Sequence, residues 1–133
     1  MSYPTQFRYT KDHEWIDAKG DIATIGITDY AQHELGDVVF VELPAVGSSL
    51  STGKTFSSVE SVKAVSEIYA PASGQVTEAN ATLQNKPESI NSDPHGAGWL
   101  VKIKLANRAE LNTLMDAAAY EAYIEEKKKE ASA

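Results

Sequence analysis

Short β-rich runs, several of them alternating apolar and polar residues, recur along this chain, and near its end the apolar residues take helical spacing. That pattern predicts many short strands with a few helices at the periphery. Residues 7–10 read as a brief strand. Residues 15–17 and 21–27 form a pair around Ala18-Lys19-Gly20, where glycine admits the positive φ of a tight hairpin. Thr28 is a good N-cap for a short helix over Asp29–Leu35, and Gly36 suits its end. Val38-Val39-Phe40-Val41-Glu42-Leu43 is a continuous β-rich run ended by Pro44. Strands are expected at 55–62, 64–69, 75–79 and 99–105, the last burying Trp99, Val101, Ile103 and Leu105. Residues 80–98 are polar and rich in turn formers, with a single helical turn at Pro87-Glu88-Ser89-Ile90. At the C-terminal end, Asn107 and Glu110 have capping-box spacing. Leu111, Leu114, Met115, Ala118 and Ala122 then mark a helical face, which Asp116 divides into two short helices. The whole of 1–133 is expected to form one domain, with its core over about 7–124. Residues 125–133, including the charge run 125–130, are expected to fray as a tail.

Within this frame Val59-Glu60-Ser61-Val62-Lys63-Ala64-Val65-Ser66-Glu67 stands out, because it reads as a mirror about the Lys63–Ala64 bond. Folded there as an antiparallel hairpin, it pairs Val62 with Val65, Ser61 with Ser66 and Glu60 with Glu67. Lys63 is left at the tip, in water. Most exposed lysines only confer solubility. A lysine modified by another enzyme must be reachable, rigidly mounted and free of a buried ion pair, and a hairpin tip meets all three demands. Gly53 and Gly74 stand at near-equal distances on either side, which suggests two similar β segments flanking the tip.

Composition narrows the chemistry. The 133 residues include no cysteine, which excludes disulfides, cysteine nucleophiles and thiolate metal sites. Any redox chemistry must therefore come from an attached group. The net charge of −7 argues against nucleic acid and fits steering toward basic partner surfaces. No apolar run is long enough to span a bilayer, and the start shows neither signal-peptide nor transit-peptide character, so a cytoplasmic location is expected. His13, His33 and His95 lie in no metal-ligand spacing, and no metal site is expected. No nucleophile elbow, phosphate-binding loop or dinucleotide fingerprint occurs. A small acid–base hydrolase using Glu14 with a histidine is disfavoured, because these sites are isolated.

The segment Glu60-Ser61-Val62-Lys63-Ala64-Val65-Ser66 resembles the lipoyl attachment segment of the glycine cleavage system H-protein family. Further motifs agree in order. They are Tyr9-Thr10-Lys11-Asp12-His13-Glu14-Trp15, Ile25-Gly26-Ile27-Thr28-Asp29-Tyr30-Ala31-Gln32, and the run from Leu35 to Pro44. Tyr69-Ala70-Pro71, Ile90-Asn91 and Gly98-Trp99-Leu100 follow. Biotin carriers are a poorer match, since Val62 and Ala64 stand where methionines usually flank the lysine. Lipoyl domains of 2-oxo acid dehydrogenases lack the segment before residue 36 and the C-terminal helices.

The resemblance implies a lipoyl/biotinyl-type flattened β-barrel (hammerhead, or barrel-sandwich hybrid) with an added helix in the N-terminal half and C-terminal helices. It implies lipoate in amide linkage on Lys63, with Glu60, Ser61, Val62 and Ala64 recognised by the modifying enzyme, a lipoate ligase or a lipoyl/octanoyl transferase. Three further partners are implied: a pyridoxal-phosphate-dependent glycine decarboxylase, an aminomethyltransferase and dihydrolipoamide dehydrogenase. The protein would shuttle the aminomethyl group between the first two and electrons to the third, without a catalytic group of its own. Glu14 and Glu67 are the candidate acceptors for the loaded arm when it folds back; the alternative is that both are ordinary surface carboxylates. A lipoyl relay to other complexes is a second role compatible with the same residues.

Overall fold

The computed structural model describes residues 3–132. Its elements are β1 (Arg8–Tyr9), β2 (Glu14–Lys19), β3 (Ile22–Ile27), α1 (Asp29–Leu35), β4 (Val38–Glu42), β5 (Ser49–Leu50), β6 (Thr55–Ser61), β7 (Val65–Tyr69), β8 (Gly74–Ala79), α2 (Thr82–Asn85), α3 (Ser89–Ser92), β9 (Val101–Leu105), a 3-10 turn (Arg108–Thr113) and α4 (Ala117–Ser132). One sheet has the order β1-β2-β3-β9-β8-β5 and the other β4-β6-β7. The pairings within both are antiparallel. The expected flattened barrel is thus realised as two antiparallel sheets that do not close into one.

Alternation along the strands fills the space between the sheets. Ile25, Val101 and Ile103 from one sheet and Val41, Val59 and Ile68 from the other belong to one buried apolar cluster. A second cluster is aromatic and contains Phe7, Tyr9, Trp15, Tyr120 and Ile124. Phe7 stacks on Trp15 with ring centroids 4.4 Å apart, and Tyr9 stacks on Tyr120 at 4.7 Å. The Trp15 indole lies across Gly26, where an ideal Cβ would come within 2.6 Å of the ring, so only glycine permits this approach. The indole Nε1 donates to the Ile27 and Pro94 carbonyls.

Several local expectations change on folding. The connection 80–98 is not turns alone but holds two short helices, α2 and α3, whose Leu83 and Ile90 are buried in the main core. Strand β9 begins at Val101, so Trp99 precedes the pleat and is only half-buried, with the Lys102 ammonium 5.1 Å from its ring centroid. Asn107 caps the 3-10 turn by accepting from the Ala109 amide. Glu110 does not complete a capping box; its carboxylate accepts from the Ser73 amide and from the Ser73 and Thr52 hydroxyls. Asp116 does cap α4, accepting from the Ala119 amide at 2.8 Å. The buried stripe of α4 is Ala117, Tyr120 and Ile124, whereas Ala118 and Ala122 face solvent. The charge run continues this helix, which extends to Ser132, and Lys127–Glu130 and Lys128–Glu125 pair one turn apart.

Candidate functional site

The hairpin turns one residue earlier than the sequence mirror suggests, which shifts each cross-strand partner by two. Glu60 pairs with Val65, Val59 with Ser66 and Ser58 with Glu67, so Glu60 and Glu67 are not opposite each other. The reason lies in Ser61. Its amide donates to the Ala64 carbonyl at 2.8 Å, which closes a loop of only Val62 and Lys63. Its hydroxyl oxygen accepts from the Lys63 and Ala64 amides at 3.3 and 3.1 Å. A side chain that satisfies loop amides can override a symmetric pairing of strands. The mirror arrangement would also bring two carboxylates face to face, which is unfavourable.

A second anchor comes from outside the hairpin. The Val62 amide donates to the Asp37 carbonyl at 3.0 Å. Asp37 lies between α1 and β4, in a link held by Asn91 from α3. The Asn91 side chain donates to the Gly36 carbonyl (2.9 Å) and to Gln32 Oε1 (3.0 Å), and it accepts from the Val38 amide (2.8 Å). Gly36 has φ 79°, a conformation glycine adopts without strain. An ideal Cβ there would sit 3.6 Å from Lys63 Cε, so the lysine stem runs over the end of α1. The motif residue Asn91 therefore acts on the hairpin through backbone; its spacing from Lys63 in sequence gave no sign of this.

Lys63 is exposed, and no ion pair involving it occurs among the described residues. Around it stands an apolar collar. Val62 is 70% exposed, Val65 66% and Phe40 50%. Phe40 pairs with Glu60 and Glu60 with Val65, so these three form one row across the outer face of the sheet. Of the residues expected to meet a modifying enzyme, Glu60, Val62 and Ala64 are exposed. Ser61 is buried and its hydroxyl is engaged by the loop amides, so it shapes the loop that these neighbours display.

Beside the hairpin lies a cleft of about 300 Å³. Ala64, Val65 and Ser66 form the hairpin wall, and Asp12, His13 and Glu34 supply the polar groups opposite an apolar floor that includes Leu35 and Ile68. His13 has φ 71° and precedes β2, so it does not alternate with Glu14 as it would on a strand. Its Nδ1 lies 2.8 Å from the Tyr120 hydroxyl, which lies 2.7 Å from Thr28 Oγ1. Thr28 Oγ1 accepts from the Ala31 amide as the N-cap of α1. With the neutral ring protonated on Nε2, Thr28 donates to Tyr120 and Tyr120 donates to His13 Nδ1; with the other tautomer the chain runs the opposite way. Burial lowers the His13 pKa, which favours the neutral ring in either arrangement.

Glu14 and Glu67, the expected arm acceptors, are separated by the fold. Glu67 is exposed on β7. Glu14 is 1% exposed and so is not a surface carboxylate; Thr10 Oγ1 donates to its Oε1 at 2.6 Å and the Tyr69 amide to its Oε2 at 3.2 Å. Burial outweighs these bonds and pushes the Glu14 pKa up to about 7. Asp12 and Glu34 line the cleft instead, and sequence reasoning missed both. The only available signal was Asp12 within a motif already singled out for Glu14. His33 is exposed beside Asp29, and His95 accepts from the Asp29 amide, so neither reaches the cleft lining. No group of His, Cys, Asp and Glu suited to a metal ion occurs among the described residues. No described helix is long and apolar enough to cross a membrane.

Comparison with known proteins agrees with this geometry. Residues 7–127 match the sequence model of the family Glycine cleavage H-protein. The chain is 57% identical over 126 residues to a glycine cleavage system H protein of Acidobacterium capsulatum, covering 95% of this chain and 97% of that relative. It is 54% identical over 123 residues to that of Symbiobacterium thermophilum, covering 92% and 96%. The crystal structure of a glycine cleavage system H protein from Mycobacterium marinum superposes with a TM-score of 0.83 at 43% identity, covering 90% of this chain and 97% of that one.

Proposed function

Because this chain belongs to the glycine cleavage H-protein family, the lipoyl carriers of the glycine cleavage system, we propose that Lys63 is the residue that holds its lipoyl group. The observation that carries this reading is the mounting of Lys63. It is an exposed amine without an ion-pair partner among the described residues, at the tip of a loop fixed by Ser61 and by the Asp37 carbonyl. Such a residue fits amide formation by a modifying enzyme, because the amine is reachable and its loop is already ordered. When attached, the dithiolane supplies the group-carrying and redox chemistry.

The chain's own residues supply attachment, display and a resting place. Ser61 and Asp37 hold the loop. The collar of Phe40, Val62 and Val65 offers apolar area to enzymes that act at Lys63, with Glu60 and Ala64 beside it, and the net charge of −7 favours approach to basic surfaces. Asp12 and Glu34 offer carboxylates to a cation lying in the cleft, and His13 presents a neutral ring. Glu14, next to His13 in the chain but buried and outside the cleft lining, is the reserve acceptor: a cation near it would lower its pKa from about 7 and favour its ionised form. Glu67 stands outside the cleft and has the weaker case. The partners are then glycine decarboxylase, aminomethyltransferase and dihydrolipoamide dehydrogenase, together with a lipoate ligase or lipoyl/octanoyl transferase. The protein contributes no catalytic group to their reactions. Tethering replaces repeated capture from solution with a local concentration of order mM.

Intact-mass measurement tests the assignment. Protein from its native host is expected to gain one lipoyl group, and Lys63→Ala is expected to lose all of it while remaining folded. Unmodified parent protein in the presence of an active ligase would overturn the reading.

A further inference from the structure

Away from the hairpin, a cleft of about 400 Å³ opens between β2 and the 3-10 turn Arg108–Thr113. It shares no lining residue with the cleft beside Lys63. Arg8 and Arg108, the only two arginines in the chain, both line it, with the carboxamides of Gln6 and Asn112. Arg8 pairs with Ile16 and therefore shares its face of the sheet. Arg108 and Leu111 are three residues apart on a 3-10 turn, so they lie on one face of it. The cleft thus takes both arginines into one lining, together with the apolar side chains of Ile16, Ala18 and Leu111.

The charge arrangement is unusual for this protein. The chain has 19 acidic residues against 12 basic ones, yet among the described residues no carboxylate lines this cleft. Glu110, which sits between Arg108 and Asn112, directs its carboxylate to Ser73 and Thr52 instead. Asp17, between Ile16 and Ala18 on the strand, points to the opposite face and lies 3.9 Å from Lys19. Neither arginine side chain has an ion pair or hydrogen bond among the described residues, and neither do the Gln6 and Asn112 carboxamides. Two unpaired guanidinium forks, two free amide donors and no competing carboxylate make an oxyanion site.

We infer that this cleft binds a phosphate group carried on a small soluble molecule with an apolar flank. The guanidiniums and carboxamides take the oxygens, and Ile16, Ala18 and Leu111 take the flank. The concave shape favours a soluble ligand over a lipid surface. This site is independent of the assignment at Lys63.

The test is an NMR titration of the full chain at constant ionic strength, first with inorganic phosphate and then with phenyl phosphate. Saturable shifts are expected at the Arg8 and Arg108 side-chain N–H groups and at the Gln6 and Asn112 amides, with phenyl phosphate binding the more tightly. Arg8→Gln and Arg108→Gln should each weaken binding about tenfold, as expected for loss of one charge-assisted pair. Arg8→Lys should lose part of that, since it keeps the charge without the fork. Both positions are exposed, so the variants should keep the parent circular dichroism and the parent extent of Lys63 modification. Non-saturating shifts spread over the surface lysines would overturn the proposal. So would undiminished binding in the doubly substituted chain, or binding to phosphatidylglycerol vesicles without a response to either soluble phosphate.

Discussion

The Lys63 hairpin and the aromatic platform under α4 solve opposite problems. At the platform, Tyr9 and Tyr120 are fully buried and stacked, and the Tyr120 hydroxyl joins His13 to Thr28. Order there comes from large side chains removed from water. At the hairpin tip, Val62, Lys63, Ala64 and Val65 are all exposed, and order comes from amides that find acceptors on Ser61 and Asp37. A loop that must present its lysine to other proteins cannot be fixed by burying it. Backbone hydrogen bonds fix it without covering it, at a small share of the protein's stability. The two regions should therefore respond to substitution in separable ways: stability at the platform, presentation at the tip.

The strongest test of that separation is Tyr120→Ala. Loss of a buried aromatic side chain removes about 3–5 kcal/mol, and His13 Nδ1 and Thr28 lose their shared partner. Chemical denaturation should show this loss, while the folded fraction is still modified at Lys63 to the parent extent. A folded variant that escapes modification would mean that the platform governs presentation after all.

Glu14 sharpens the comparison from the boundary between the regions, since it joins the start of β2 to the Tyr69 amide. Its pKa rises from the ordinary 4.5 to about 7 in the folded protein. The folded state therefore holds this proton more tightly than the unfolded chain does. The resulting stabilisation is complete below pH 4.5 and is lost as pH rises through 7. The loss should amount to about 2–3 kcal/mol between pH 5 and pH 8. Glu14→Gln removes the titrating group while keeping one side-chain oxygen to accept from Thr10 Oγ1 or from the Tyr69 amide. The parent-minus-variant difference, in which the titration of His13 cancels, should favour the parent least at pH 8. A difference that does not vary with pH would show that Glu14 keeps its charge.

Asn91→Ala should have a smaller effect on stability, about 2 kcal/mol for the hydrogen bonds it makes to the link between α1 and β4. Its signature is remote: amide exchange at Val62 should accelerate, because the Asp37 carbonyl loses its support. Exchange that quickens only at Val38 would confine Asn91 to its own neighbourhood.

The sequence was most legible where one local rule decides the structure. Thr28 and Gly36 bound α1 because capping and positive φ are local demands. Val101, Ile103 and Leu105 are buried because a pleat alternates. The exposed hairpin lysine and the family motifs were equally visible. The misses came where two distant segments compete for one group. The mirror of 59–67 suggested a register, but a serine hydroxyl and a carbonyl from the α1–β4 link chose another. Glu110 looked like a capping-box partner until Ser73 and Thr52 drew it away. That Glu14 is buried was not visible either, because its burial depends on β7, more than fifty residues on. The cleft's Asp12 and Glu34 come from different elements, and only the fold places them together.

Ser61→Ala is the smallest and most local of these tests. Removing the hydroxyl leaves the Lys63 and Ala64 amides without their acceptor, although the Ser61 amide still reaches the Ala64 carbonyl. Both amides lie near water, so global stability should fall by only about 1 kcal/mol. The loop itself should loosen, with faster amide exchange at Lys63 and Ala64. Because an ordered loop no longer meets the modifying enzyme, lipoylation should slow without being abolished. Ser61→Thr keeps the hydroxyl and should restore both exchange protection and rate. If Ser61→Ala is modified at the parent rate while its loop amides exchange freely, order at the tip is unnecessary. Exposure alone would then be what the hairpin provides.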